Sequence, residues 1–116
     1  TDTESPSTRL DTTFTGIYRL SSDGSPVIAS SWSSLISGSL ANPINTDENG
    51  VLVEENVFTN TLPDGTPASD SDCNNWSDKK PTTTIGQSFA PDSAWTNSLA
   101  SQSCSSPFRI YCFQDI

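Results

Sequence analysis

The sequence predicts one α+β domain of short strands, one or two short helices and long ordered loops. Only 32% of its 116 residues are hydrophobic, and much of the remainder is Ser, Thr, Asn, Asp, Pro and Gly, which favour turns over helix interiors. Short extended stretches are separated by long polar loops along the chain. Because such a chain has little regular structure to stabilise it, we expect disulfide bonds to contribute.

The first part of the chain predicts a strand pair after a loose lead-in. Residues 1–9 are polar and contain Pro6, so we expect little order there. The stretch 14–20 holds four large apolar or aromatic side chains and predicts a strand, with 26–29 as the returning strand. Asp23-Gly24 lies between them and is a strong turn signal.

The segment 30–39 is the best helix candidate. Ser30 or Ser31 can cap its start, and Trp32, Leu35 and Ile36 fall on one helical face. Gly38 suits the left-handed position that ends a helix. A helix this short depends on tertiary packing.

The rest of the chain predicts loops, two shorter strands and one clear final strand. Loops are expected at 42–50 and 62–72, extended segments at 51–61 and 82–89, and a turn or weak helix at 92–101. The final strand spans 107–113, with Phe108, Ile110 and Cys112 on one face and Arg109, Tyr111 and Phe113 on the other.

Net charge and hydropathy argue against binding to nucleic acid or anionic lipid and against a membrane-spanning segment. The formal charge is −9, which repels nucleic acid and anionic lipid surfaces. No apolar run approaches the roughly 18 residues of a membrane span. The chain begins at Thr1 without a methionine, which indicates a processed or excised segment.

Catalysis is not expected. The chain has no histidine, which removes the usual general base, the catalytic triads and most zinc sites. Glu54 and Glu55 are adjacent in an extended stretch and therefore point to opposite faces, so they indicate a solvated edge rather than a pair of catalytic carboxyls.

An acidic, amide-rich run between residues 64 and 75 is the most site-like feature. Its oxygen ligands would suit calcium, although the EF-hand spacing is absent, and a hydrophilic surface loop is the other interpretation. The candidate binding residues of this loop region are Asp64, Asp70, Asp72, Asn74, Asn75, Lys79 and Lys80. No bound cofactor and no metal site is predicted.

The three tryptophans have two interpretations. Trp32, Trp76 and Trp95 could form a binding platform, but buried core positions are the more frequent use of this residue. We therefore assign all three to the structural core, together with Phe108 and Ile110 of the final strand.

The order of several short motifs resembles a known family. The segment from Cys73 to Asp115, with a C-x-x-W element, a short GQ element and a final aromatic–apolar–Cys–apolar strand, resembles the C-terminal half of endostatin-like domains. The upstream S-W-x-x-L-x-S-G segment fits the same pattern, and the resemblance covers residues 7–114. Within that family, the chain is most similar to the bacterial members known from leptospiral surface proteins.

The resemblance implies a C-type lectin-like fold with a twisted antiparallel sheet, over residues 10–116. It pairs Cys73 with Cys104. It leaves Cys112 unpaired within this chain, because the family's partner cysteine belongs to a first strand and helix that lie upstream of Thr1 in the pattern. The zinc and heparin binding of animal endostatin should not transfer, because this chain has no histidine and few arginines.

The resemblance also implies a function. Members of the bacterial family are exported, and they are implicated in binding laminin, fibronectin and complement regulators. We therefore expect a non-catalytic adhesin-like domain, extracellular or on a bacterial cell surface, that recognises protein ligands through the loops at 42–50 and 62–80. The alternatives are a structural or display module, joined to a second fragment or to identical subunits, and a calcium- or carbohydrate-binding lectin module.

Overall fold

In the computed structural model, which describes residues 4–21, 25–68 and 72–114, no helix or strand exceeds six residues. The helical elements are α1 (Pro6–Arg9), α2 (Trp32–Leu35), α3 (Cys73–Trp76) and a 3-10 helix at Ser93–Trp95. The strands are β1 (Tyr18–Arg19), β2 (Val27–Ala29), β3 (Asn56–Phe58), β4 (Thr82–Gln87), β5 (Ser101–Ser103) and β6 (Arg109–Ile110). The mixture of short helices and strands confirms the α+β class.

The strands form two sheets. β1 and β2 pair antiparallel, as predicted, although the turn at Asp23-Gly24 lies outside the described residues. The second sheet has the order β5-β4-β3-β6. Its β3–β6 pair is parallel, with Val57 opposite Arg109, so the expectation of an antiparallel sheet is wrong at this position. The long connection from β3 to β6 permits either direction, and only tertiary packing selects one.

The hydrophobic core lies between β2, α2 and the 3-10 helix. Its buried side chains are Ile28, Ala29, Trp32, Leu35, Leu40 and Trp95. The Ser31 side chain accepts a hydrogen bond from the Ser34 N–H and caps α2 as predicted, so that Trp32 and Leu35 face inward. Gly38 follows with a φ of +85°, in the left-handed region.

A close backbone approach joins the large sheet to the 3-10 helix. A Cβ atom placed on Gly86 of β4 would lie 2.1 Å from the Trp95 carbonyl oxygen. Only glycine permits this approach, which fixes Trp95 directly over the sheet.

The described part of the lead-in is ordered, contrary to the expectation for residues 1–9. Ser5 is buried and Pro6 begins α1, an arrangement that suits the N-terminus of a helix because proline lacks the N–H that would otherwise be unpaired. The Ser7 N–H donates to the Gly65 carbonyl at 3.0 Å, which ties α1 to the loop after β3.

A disulfide bond joins Cys73 to Cys104, as predicted. It connects α3 to the turn that follows β5, across a separation of 31 residues. Within the described ranges, no helix has the length and apolar character needed to cross a membrane.

Candidate functional site

An open groove of about 360 Å³ lies between α1, the segment after β3 and the C-terminal segment. Its buried lining residues include Asn60, Trp95 and Thr96. The remaining lining residues are Glu4, Ser5, Pro6, Arg9, Leu10, Thr59, Thr61, Pro67, Trp76, Tyr111 and Phe113. The groove is therefore mainly aromatic and apolar, as ligand-binding clefts commonly are.

Trp76 is held at the groove by an unusual turn. All four residues of α3 have positive φ angles, between 51° and 63°, so the turn is left-handed. Such backbone is costly for residues other than glycine and is tolerated best by asparagine, which occupies positions 74 and 75. The Asp72 side chain accepts from the Asn75 N–H at 2.8 Å, and the disulfide at Cys73 fixes the same turn. Strain of this kind concentrates at functional sites.

Trp76 also belongs to an aromatic cluster on one face of the large sheet. Its ring lies 5.9 Å from that of Phe58, which lies 5.2 Å from that of Phe108. Trp76 is 44% exposed and Ile110 is 66% exposed, so the assignment of these two residues to the core is wrong, and Phe108 is only half-buried. Ile110 lies on β6, which is an edge strand of the large sheet.

Hydroxyl groups along the groove are engaged with backbone carbonyls. Thr59 donates to the Thr96 carbonyl, Thr96 to the Thr61 carbonyl at 2.9 Å, and Thr61 to the Thr59 carbonyl at 2.7 Å. The Tyr111 hydroxyl donates to the Trp95 carbonyl at 2.8 Å. Each of these hydroxyls has thus used its single donor within the protein.

Two groups in the groove have distinctive electrostatics. Burial raises the pKa of Tyr111 well above its usual value, so the phenol stays neutral across the physiological range. The indole Nε1 of Trp95 is buried and has no hydrogen-bond partner among the described residues. Arg9 and Glu4 form an exposed ion pair of 3.2 Å at the rim, which leaves the groove without a strong net charge.

The described residues of the acidic loop have separate hydrogen-bonding roles. A carboxylate oxygen of Asp64 accepts from both the N–H and the hydroxyl of Thr66, which lowers the pKa of Asp64. Asp72 caps α3, Asn74 and Asn75 lie in its exposed left-handed turn, and Asp70 lies outside the described residues. Over residues 4–21, 25–68 and 72–114 no group of three or more His, Cys, Asp or Glu side chains could hold a metal ion.

The other predicted contact residues lie at the surface. Lys79 and Lys80 are exposed, and the Lys80 N–H donates to the Asp78 side chain. In the loop at 42–50, Asp47 accepts from the N–H groups of Asn49 and Val51 and forms a tight turn. Val51, directly after this turn, is 58% exposed.

Cys112 carries a free, exposed thiol. It lies two residues after β6, which forms one edge of the large sheet and pairs with β3 on its other side. The thiol and the exposed side chain of Ile110 therefore lie close together in the sequence at this sheet edge.

Sequence reasoning missed the contribution of α1 and of the C-terminal aromatics to the groove. The signal for α1 was present, since Ser5-Pro6 with Thr8 is a typical helix start and Ser5 and Thr8 form a capping box. No comparable signal exists for Tyr111 and Phe113, because long-range packing brings them to the groove.

Comparisons with protein-family models, curated proteins and solved structures found no match to this chain.

Proposed function

We propose that this chain is a non-catalytic binding domain, exported to a bacterial cell surface, that recognises a host or matrix protein. The observation that carries the proposal is Trp76, a large aromatic side chain that is 44% exposed at the mouth of the groove. Exposed tryptophans on rigid scaffolds are frequent energetic centres of protein interfaces. The resemblance to endostatin-like domains suggests laminin, fibronectin and complement regulators as ligands to test.

The rigidity of the surrounding scaffold supports this proposal. A left-handed turn costs free energy, and the Cys73–Cys104 bond and the Asp72 cap hold it in place. A side chain fixed before binding loses less conformational entropy when a partner is bound.

Binding to each immobilised ligand by surface plasmon resonance tests the function. We expect saturable binding that Trp76→Ala weakens, whereas Leu99→Ala serves as a matched control because Leu99 is 91% exposed and does not line the groove. No saturable binding to any of these ligands would contradict the proposal.

Among the described strands, β6 has one unpaired edge, and this edge favours a second candidate function, assembly into a larger surface structure. An edge strand offers unpaired backbone groups to another strand, and here Ile110 and the Cys112 thiol are exposed beside that edge. The resemblance suggests that Cys112 bonds a cysteine outside these 116 residues. Non-reducing mass spectrometry and sedimentation, with Cys112→Ser as the control, test this candidate; a monomer with a free thiol under oxidising conditions would contradict it.

A further inference from the structure

The aromatic side chains that line the groove suit a cationic ligand. They are Trp76, Trp95, Tyr111 and Phe113. The face of an aromatic ring carries partial negative charge, so it attracts a cation that lies against it, and tryptophan is the strongest partner of this kind. Trp76 is 44% exposed, so a ligand can reach part of its ring in the folded protein.

The partly exposed hydroxyl groups of the lining can contact a ligand only as acceptors. Thr59, Thr61 and Tyr111 are half-buried, and each hydroxyl already donates its proton to a backbone carbonyl. Oxygen lone pairs are what these groups have left. Ser5 and Asn60 are only 8% and 6% exposed, so they add little polar surface. The lining therefore favours a ligand that brings hydrogen-bond donors.

The α1 side of the groove carries an excess of negative charge. Glu4 pairs with Arg9, which is the only cation that lines the groove among the described residues. Asp11 follows α1, and Asp64 lies in the loop that is hydrogen-bonded to α1. Each of these two carboxylates accepts from the N–H and the hydroxyl of a threonine two positions later, which favours its charged form. Neither has a salt bridge within the described part of the chain.

The segment that carries Trp76 has balanced charges, since Asp72 and Asp78 oppose Lys79 and Lys80. The excess near the groove is therefore negative, in agreement with the charge of −9 on the whole chain. Such a field attracts a cationic ligand and repels an anionic one or a second copy of the chain.

We propose that the groove binds a basic segment of a partner protein, with an arginine side chain stacked against Trp76. A guanidinium group is planar, always charged and rich in N–H donors, so it uses both the aromatic faces and the oxygen lone pairs. A quaternary ammonium group has no N–H and uses only the faces. A lysine ammonium is more strongly hydrated and binds the same site more weakly. This inference rests on the proposed protein-binding function and specifies its partner class.

Titration of the ¹⁵N-labelled full chain tests the proposal by nuclear magnetic resonance. The probe is an acetylated, amidated peptide of alternating glycine and arginine, and Trp76→Phe assigns the Trp76 indole signal. We expect saturable shifts of that signal and no shift at Trp32, which does not line the groove. A peptide with lysine in place of arginine should bind more weakly. Peptides with glutamine or glutamate, and choline, should leave the signal unchanged.

Matched variants separate the groove from the net charge. Glu4→Gln should weaken binding of the arginine peptide about twofold to fivefold, and Arg9→Gln should tighten it, because it leaves Glu4 unpaired. Glu54→Gln makes the same charge change before β3 and outside the groove, so at physiological ionic strength we expect a change below about 1.5-fold. Trp76→Ala should weaken binding about fivefold or more, and Leu99→Ala should not change it.

Several results would overturn the proposal. They are an unchanged Trp76 signal with the arginine peptide, equal or tighter binding of the lysine, glutamine or glutamate peptide or of choline, equal effects of Glu4→Gln and Glu54→Gln, and concentration-dependent shifts of the protein alone that show a second copy in the groove. If the arginine peptide fails while matrix-protein binding persists, only this inference falls. If the peptide binds while the matrix proteins do not, the inference stands and the proposed ligands are wrong.

Discussion

Tyr111 and Trp95 are joined twice in this protein, through a 2.8 Å hydrogen bond from the phenol to the backbone carbonyl and through rings 5.5 Å apart. The contact ties the C-terminal segment to the 3-10 helix, and both residues line the groove. The half-buried phenol of Tyr111 therefore contributes both to the stability of the fold and to the shape of the groove.

Alkaline pH should destabilise the protein through this contact. Burial raises the pKa of Tyr111 in the folded state, whereas the unfolded chain ionises near 10.0. The stability that depends on the neutral phenol is present below pH 10 and is lost as pH rises towards the folded pKa, by up to about 1.4 kcal/mol per pH unit. Urea unfolding between pH 9 and 11.5 measures the slope. Burial and the negative charge of Asp11 also raise the pKa of Tyr18. Tyr18 therefore contributes to the alkaline loss of stability in the same direction.

Tyr111→Phe is the matched control for the pH dependence. It removes the titrating group and the hydrogen bond, so we expect a loss of about 1 kcal/mol at neutral pH and a flatter alkaline slope. An unchanged slope in this variant would assign the alkaline loss to other groups.

Removal of the disulfide should lower the free energy of unfolding by about 3 to 4 kcal/mol, because the bond closes a loop of 31 residues in the unfolded chain. The Cys73→Ser, Cys104→Ser double variant, examined by urea denaturation, tests this value. Cys112→Ser is the control. Because the Cys112 thiol is exposed and free, we expect this substitution to change the free energy of unfolding by about 0.5 kcal/mol or less. An equal loss of unfolding free energy in the double variant and in Cys112→Ser would contradict the prediction.

Gly86→Ala should destabilise the fold by about 3 kcal/mol or more, because the new methyl group would meet the Trp95 backbone at 2.1 Å. Gly50→Ala is the comparison: Gly50 has a φ of +77° but no atom within 4 Å, so only backbone strain of about 1 kcal/mol is expected. Thermal unfolding of both variants distinguishes the steric cost from the conformational cost. A Gly86→Ala protein as stable as Gly50→Ala would exclude the close approach.

The left-handed turn of α3 predicts how substitutions of Asn74 change the stability of the protein. Asn74→Ala should cost about 1 kcal/mol, because alanine tolerates a positive φ poorly, whereas Asn74→Gly should be close to neutral. Urea midpoints of the two variants test the difference. Alanine and glycine variants of equal stability would show that the turn is not left-handed in solution.

Local signals predicted the local structure well. Ser31 caps α2 as a side-chain acceptor, and Trp32 and Leu35 are buried at helical spacing. The resemblance supplied the pairing of Cys73 with Cys104.

Apart from helix α1, whose local signal was missed, the failures are long-range. Strand direction between β3 and β6 is decided by packing, which no local pattern encodes. Trp76 and Ile110 look like core residues by type, but a left-handed turn and an edge position expose them. Two adjacent asparagines before Trp76 were the available hint of that turn.

The position of β3 in the large sheet constrains how this chain can reach its native state. Both neighbours of β3, namely β4 and β6, come later in the sequence, and the second is 52 positions further on by the pairing of Val57 with Arg109. During synthesis from the amino terminus, β3 can pair with β4 first, whereas its other partner β6 becomes available only later. Completion of the large sheet therefore depends on the closure of a long loop between β3 and β6, which we expect to set the pace of folding.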